Sequence, residues 1–139
     1  MNDIAQRSPE WFAARLGIAT ASMFSAVLAK IKTGEAAERR NYRARLVVER
    51  LTGKPVDTYQ NAAMLHGTEQ EPFARMAFAA HTSAIVEEIG FLRHATIDAG
   101  CSPDGLIDED GMIEIKCPFQ TAIHIDTLKN GTPKEHVPQ

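Results

Sequence analysis

Cys101-Ser102-Pro103-Asp104-Gly105-Leu106-Ile107-Asp108-Glu109-Asp110-Gly111-Met112-Ile113-Glu114-Ile115-Lys116-Cys117-Pro118-Phe119 is the stretch on which the reading of the fold turns. Met112 to Cys117 is a short apolar run that reads as a strand. Side chains alternate faces along a strand, so Glu114 and Lys116 share one face while Ile113 and Ile115 share the other. Leu106-Ile107 reads as the strand before it, and the acidic turn Asp108-Glu109-Asp110-Gly111 joins the two as a hairpin. A hairpin brings the start of its first strand beside the end of its second. Asp104, in the turn Pro103-Asp104-Gly105, is therefore expected to meet Glu114, and Asp108, Glu109 and Asp110 to face solvent at the opposite end.

A Glu-x-Lys pair on a strand is more often a solvated ion pair than a reactive one. What changes its meaning is the carboxylate of Asp104 brought to the same end of the hairpin. Two carboxylates can hold a hard divalent cation through oxygen, and a lysine beside them can sit next to an attacking water or a charged phosphate. These are the groups that metal-dependent hydrolysis of a phosphodiester needs.

Outward from this stretch, the chain divides into a helical first half and a strand-rich second half. Ser8 followed by Pro9 and Glu10 marks a helix start, with serine as N-cap and proline at the first helical position. That helix is brief because Gly17 follows Leu16. Thr20 or Ser22 can cap the next, through Met23, Phe24, Val27 and Leu28 to a break at Lys32-Thr33-Gly34. A longer helix is expected from about Ala36 to Thr52, with Tyr42, Leu46, Val47 and Leu51 along one stripe and Gly53 and Pro55 ending it. Asn61 can cap a fourth through about Ala80, with Pro72 warning of a kink or of two pieces. From Ser83 the period changes: Ala84 to Leu92 reads as a strand bent near Gly90, Thr96 to Cys101 as another, then the hairpin, then a helix from Thr121 to Lys129 ended by Asn130-Gly131. No repeat or low-complexity tract interrupts this order.

The 139 residues suffice for one domain with its own core, and 44% apolar with 24% charged residues is ordinary for a globular protein. No run has the apolar length of a membrane span, and Met-Asn-Asp-Ile-Ala-Gln-Arg-Ser-Pro offers no apolar stretch of the kind that directs secretion. Cys101 and Cys117 read as buried strand residues rather than a disulfide or half of a zinc set. His66, His81, His94, His124 and His136 show no metal-ligand spacing. The net charge of −3 argues against a protein that coats nucleic acid, but the distribution is uneven. Lys30 to Lys54 carries eight Lys/Arg against three Glu, whereas Asp98 to Glu114 carries six acids and no base. Such a division suits a protein that grips phosphates with one region and gathers cations with another, although a charged outer helix face accounts for most of these arginines.

Four blocks carry a family resemblance: Arg15-Leu16-Gly17-Ile18-Ala19-Thr20-Ala21-Ser22, His66-Gly67-Thr68-Glu69-Gln70-Glu71, Ala99-Gly100-Cys101-Ser102-Pro103-Asp104-Gly105, and Ile113-Glu114-Ile115-Lys116-Cys117-Pro118-Phe119. In this order and spacing they resemble the phage lambda exonuclease and YqaJ-type viral recombinase family, within the restriction-endonuclease-like PD-(D/E)XK superfamily. The resemblance implies an α/β (α+β) restriction-endonuclease-like core: a single nuclease domain over 1–139, with a helical part at about 8–82 and a catalytic mixed sheet with its following helix at about 83–139. Such a core continues with further strands, so the chain is expected to be a fragment, incomplete at its C-terminal end.

Residue by residue, the resemblance implies that Asp104, Glu114, Glu71 and the backbone carbonyl of Ile115 hold Mg²⁺ or Mn²⁺, and that Lys116 orients the attacking water. Gly67 is expected to allow close packing beside Glu71. Arg15, Ser22 and Ser102 match a pocket for the 5′-phosphate of a duplex end, and Gln139 matches a further DNA-contacting glutamine. A planar guanidinium suits a phosphate because its fork binds two oxygens at once. The implied activity is 5′ to 3′ digestion of one strand of double-stranded DNA in phage-type recombination. A single-strand annealing protein would take the exposed strand, with a ring of three subunits around DNA and a bacterial cytoplasmic setting. A structure-specific or restriction-type endonuclease on the same core, and a non-catalytic DNA-binding or assembly fragment, remain the alternatives.

Overall fold

The computed structural model describes residues 4–56 and 59–132. They form five α-helices and six short strands: α1 (Pro9–Arg15), β1 (Ala19–Thr20), α2 (Phe24–Leu28), α3 (Ala37–Thr52), α4 (Ala62–Thr82), β2 (Val86–Glu87), β3 (Leu92–Arg93), β4 (Ala99–Cys101), β5 (Gly105–Ile107), β6 (Gly111–Ile113) and α5 (Thr121–Asn130). This is the mixed α/β class expected. Two compact units arise. Among the described residues the first gathers 4–56 and 90–102, and the second 59–89 and 103–132.

In the first unit, Ser8 caps α1 through its side chain, which accepts from the Trp11 N–H, and Pro9 occupies the first turn. Gly17 ends this segment with φ +65°, a conformation that a side chain would strain. A 3₁₀ turn, Ala21–Met23, separates β1 from α2, and Thr20 makes no side-chain cap there. α3 stops at Gly53 in the left-handed region, as a helix C-terminus favours. Its buried stripe is only partly the one expected. Tyr42 and Glu49 are buried, whereas Val47 is exposed and Leu51 is 81% exposed. The inward face thus carries a polar clamp: Glu49 accepts from the Gly17 N–H at 3.0 Å, Arg45 Nε at 2.9 Å and the Val56 N–H at 3.4 Å.

The first unit's sheet has the order β1-β4-β3, with β1 parallel and β3 antiparallel to β4. Its core includes Ile18, Ala26, Ala36, Tyr42, Ala99 and Phe91, the last only 2% exposed. Gly100 in β4 admits this packing, since a Cβ there would lie 2.3 Å from the Phe91 ring.

In the second unit, Asn61 caps α4 by accepting from the Met64 N–H, and the helix runs unbroken through Pro72 rather than splitting there. Its one buried position is Glu71. The sheet order is β2-β5-β6, antiparallel throughout. The expected Ala84–Leu92 strand is therefore not one strand: its ends, β2 and β3, pair in different sheets of different units, and Gly90 lies where the first unit resumes. Gly67 lacks the expected close neighbour, because a Cβ there would meet nothing within 4 Å. Among the described residues no helix is long and apolar enough to cross a membrane.

Candidate active site

The expected hairpin forms: Gly105 pairs with Ile113, Leu106 with Met112 and Ile107 with Gly111. Asp108 turns the chain at φ +53°, and Asp108, Glu109 and Asp110 are exposed as expected. The ladder ends at Ile113, however, so Glu114-Ile115-Lys116 lies just beyond the strand rather than within it. Alternation persists without the ladder: Glu114 and Lys116 are exposed while Ile113, Ile115 and Cys117 are half-buried. Two hydrogen bonds, one backbone to backbone and one backbone to side chain, hold the extension in place. The Asp104 N–H donates to the Ile113 carbonyl at 3.0 Å, and the Ile115 N–H donates to Asp104 Oδ2 at 2.5 Å. The side chain of Asp104 thereby substitutes for the next ladder partner, which fixes it beside the Glu-x-Lys segment.

The electrostatics follow from this placement. The Asp104 carboxyl is pushed up from 3.8 to about 6, first by burial. The Ile115 N–H opposes that shift, the negative charges of Glu114 and Glu71 add to it, and Lys116 pulls back. Burial, followed by the charges of Glu71 and Asp104, also pushes the Cys117 thiol up. Glu114 pairs with Lys116, and Glu71 Oε1 pairs with Arg75 Nη2 at 2.7 Å. Arg75 Nε also donates to the Asp104 carbonyl at 2.8 Å. The rings of His66 and Phe119 meet edge to face at 5.4 Å, which ties the residues after Lys116 to α4.

With Glu71 and Glu114 turned to cationic partners, no three His, Cys, Asp or Glu side chains among the described residues stand as one ligand group. The donor set nonetheless fits a hard divalent ion. It is all oxygen, and Asp104 feels the like charges of Glu71 and Glu114 that such an ion would offset.

In the first unit, the parallel register Ala19↔Ala99 and Thr20↔Gly100 carries Ser22 and Ser102, each two residues past the second pair, to the same end of β1 and β4. Ser22 Oγ lies 3.2 Å from Thr20 Oγ. Arg15 Nη1 donates to Ser102 Oγ at 3.2 Å, and the guanidinium lies 4.0 Å over the Trp11 ring. Trp11 Nε1 donates to Ser102 Oγ at 2.9 Å and to the Gly90 carbonyl at 3.3 Å. Burial lowers the Arg15 pKa from its usual value, and among the described residues no carboxylate pairs with it. A half-buried cation with only neutral partners is suited to an anion.

The structure thus brings Asp104, Glu114, Lys116 and Glu71 into one electrostatic neighbourhood in the second unit, and gathers Arg15 with Ser102 in the first. Gln139 lies outside the described residues. Trp11 and Arg75 were not singled out by sequence. Trp11 is visible there only as an aromatic four residues before Arg15, one helical turn away, and Arg75 only as a cation four residues after Glu71.

The model of the YqaJ-like viral recombinase domain matches residues 10–139. The alkaline exonuclease LHK-Exo of Laribacter hongkongensis superposes with a TM-score of 0.81 at 49% identity, over 93% of this chain and 62% of that one. LHK-Exo in complex with dAMP gives 0.82 at 49% identity, over 93% of this chain and 63% of that one. The chain therefore spans less than two thirds of the length of these exonucleases. No curated protein matches. At this identity and coverage the α/β fold is that of the alkaline exonucleases, and the chain belongs to the YqaJ-like viral recombinase domain family.

Proposed function

We propose that this chain carries the nuclease core of a metal-dependent, 5′ to 3′ exonuclease that digests one strand of double-stranded DNA from a 5′-phosphorylated end. The observation that carries the reading is the Ile115 N–H bond to Asp104, which holds the first acid against Glu114-Ile115-Lys116. The likeness to alkaline exonucleases supports it. So does the dAMP bound by that relative, a nucleoside monophosphate and hence the class of product such an enzyme releases.

Asp104, Glu114, Glu71 and the Ile115 carbonyl would hold Mg²⁺ or Mn²⁺. Bound there, the cation would supply Lewis acidity toward the scissile phosphate and lower the pKa of a water. Lys116, released from Glu114, would orient the attacking water, and its ammonium would offset charge that develops on the phosphate. Cleavage would leave a 3′-hydroxyl and a 5′-phosphate. In the first unit, Arg15 and the hydroxyls of Ser22 and Ser102 would hold the terminal 5′-phosphate and so set direction. Gln139 would add a DNA contact. The single strand left behind would pass to an annealing protein in a bacterial cytoplasm, and three copies of the full-length protein would encircle the duplex.

The test is linear duplex with 5′-phosphate or 5′-hydroxyl ends, and duplex with both ends blocked, each with Mg²⁺. Mononucleotides should appear fastest from the 5′-phosphorylated substrate, and the blocked duplex should remain intact. Cutting of the blocked duplex would replace this reading with an endonuclease. If no Mn²⁺ binding is detected, or if binding is undiminished in Asp104→Ala, the acids are not the metal site proposed.

A further inference from the structure

Arg75 makes three contacts on three segments of the second unit. Besides Glu71 Oε1 on its own helix and the Asp104 carbonyl 29 residues away, its Nη1 meets Glu88 Oε1 at 2.5 Å. Its side chain is only 12% exposed, while that of Glu88 is 76% exposed. Hence the Glu88 contact is a solvated outer arm, and the two inner contacts are shielded from water. They engage different nitrogens of one rigid fork, Nη2 toward Glu71 and Nε toward Asp104. The separation of the two acceptors is thereby fixed by covalent geometry rather than by packing alone.

We propose that Arg75 is a positioning residue for the acid pair Glu71 and Asp104, setting their mutual geometry and through it the affinity of the site for a divalent cation. The inference rests on the nuclease reading above. Arg75 reaches Asp104 through the main chain and leaves the carboxylate, whose hydrogen bond comes from the Ile115 N–H, to face other groups. It therefore orients the acid without occupying its oxygens. A lysine would keep the charge beside Glu71 but lacks the fork that spans both acceptors. Little of the Arg75 side chain is open to solvent, so it offers DNA little to touch.

The test measures Mn²⁺ binding by calorimetry without DNA, for wild type, Arg75→Lys, Arg75→Gln and Glu88→Gln. Thermal melting and single-turnover nuclease assays run alongside. Removing a group that orients metal ligands typically weakens binding roughly 10- to 100-fold. The Mn²⁺ dissociation constant should rise by about that factor in both Arg75 variants. Glu88→Gln should stay within about twofold of wild type, as expected for a screened, exposed pair. The DNA concentration for half-maximal rate should hold while the single-turnover rate at limiting Mn²⁺ falls. Wild-type Mn²⁺ affinity in Arg75→Lys would overturn the proposal by reducing Arg75 to a charge partner. Should Arg75→Gln not fold, Arg75→Lys decides, and an unfolded Arg75→Lys would make the role structural and equally overturn it. A wild type that neither binds Mn²⁺ nor releases nucleotides would overturn the nuclease reading itself, whereas failure of the Arg75 variants alone would leave that reading standing.

Discussion

Each unit holds a carboxylate partly withdrawn from water, Glu49 in the first and Asp104 in the second, and the two respond in opposite directions. Glu49 in the first unit suffers desolvation, but hydrogen bonds from Arg45, Gly17 and Val56 and the Arg45 charge outweigh it, and its pKa falls below the usual 4.5. Asp104 in the second unit also suffers desolvation, but it has one N–H donor and two acidic neighbours, and its pKa rises. A carboxylate whose needs are met inside the fold is a strut. One whose charge is left uncompensated has binding capacity in reserve.

Four experiments break or sharpen this contrast. The largest effect is expected from Lys116→Ala, which removes the cation that pairs with Glu114 and acts on Asp104. Single-turnover cleavage of 5′-phosphorylated duplex should slow by about a hundredfold to ten-thousandfold with the melting temperature little changed. Equal rates for the two proteins would sink the assigned role. Next, Arg15→Ala removes a charged donor worth about 1.5–3 kcal/mol. The preference for 5′-phosphate over 5′-hydroxyl ends should collapse toward unity, while the cleavage step on bound substrate persists.

Glu49→Gln tests the strut. Losing the charge that three donors serve should lower unfolding free energy by about 1–3 kcal/mol in denaturant titrations and leave Mn²⁺ affinity unaltered. Changed Mn²⁺ affinity would show that Glu49 is no mere strut. The smallest effect is a pH dependence of opposite sign in the two units. Asp104 binds its proton more tightly folded, at about 6, than at the ordinary 3.8. The protein therefore gains stability from this group as pH falls from above 6 toward 4. Glu49 contributes stability above its ordinary value and loses it as pH falls through its depressed folded value. Asp104→Asn should flatten the gain between pH 7.5 and 5 in urea titrations, and a gain of wild-type size would disprove its origin in Asp104. Protons also compete for the oxygens that a cation would use, so Mn²⁺ affinity should decline below about pH 6.

Local signals in the sequence were legible where local chemistry decides. Ser8-Pro9 opened a helix, Gly53 closed one, Asn61 capped one, and the acidic turn made the hairpin whose end collects Asp104 and Glu114. What failed depended on partners distant in the chain. Ala84–Leu92 has uniform strand character, yet pairing divides it between two sheets. Along α3 the expected Tyr42 is buried, but hydrophobicity also pointed to Val47 and Leu51, while the rest of the buried face is taken by Glu49, whose donors include the main chain of Gly17, 32 residues away. Trp11 and Arg75 escaped for the same reason: their decisive acceptors are 91 and 29 residues away.

Ser102 carries one more consequence. A serine hydroxyl has two lone pairs and one hydrogen, and here both lone pairs are engaged, by Trp11 Nε1 and Arg15 Nη1. A group that elsewhere gives or takes hydrogen bonds has become one-directional: its hydrogen is all it can still offer. A fully ionised phosphate, presenting only bare oxygens, satisfies that demand from any angle of approach. A hydroxyl terminus can accept the same hydrogen, but with one uncharged oxygen, and Ser102 has no lone pair left for the hydrogen that terminus brings. On the proposed reading, that single hydrogen would favour the charged end of a chain over the neutral one without any change of shape.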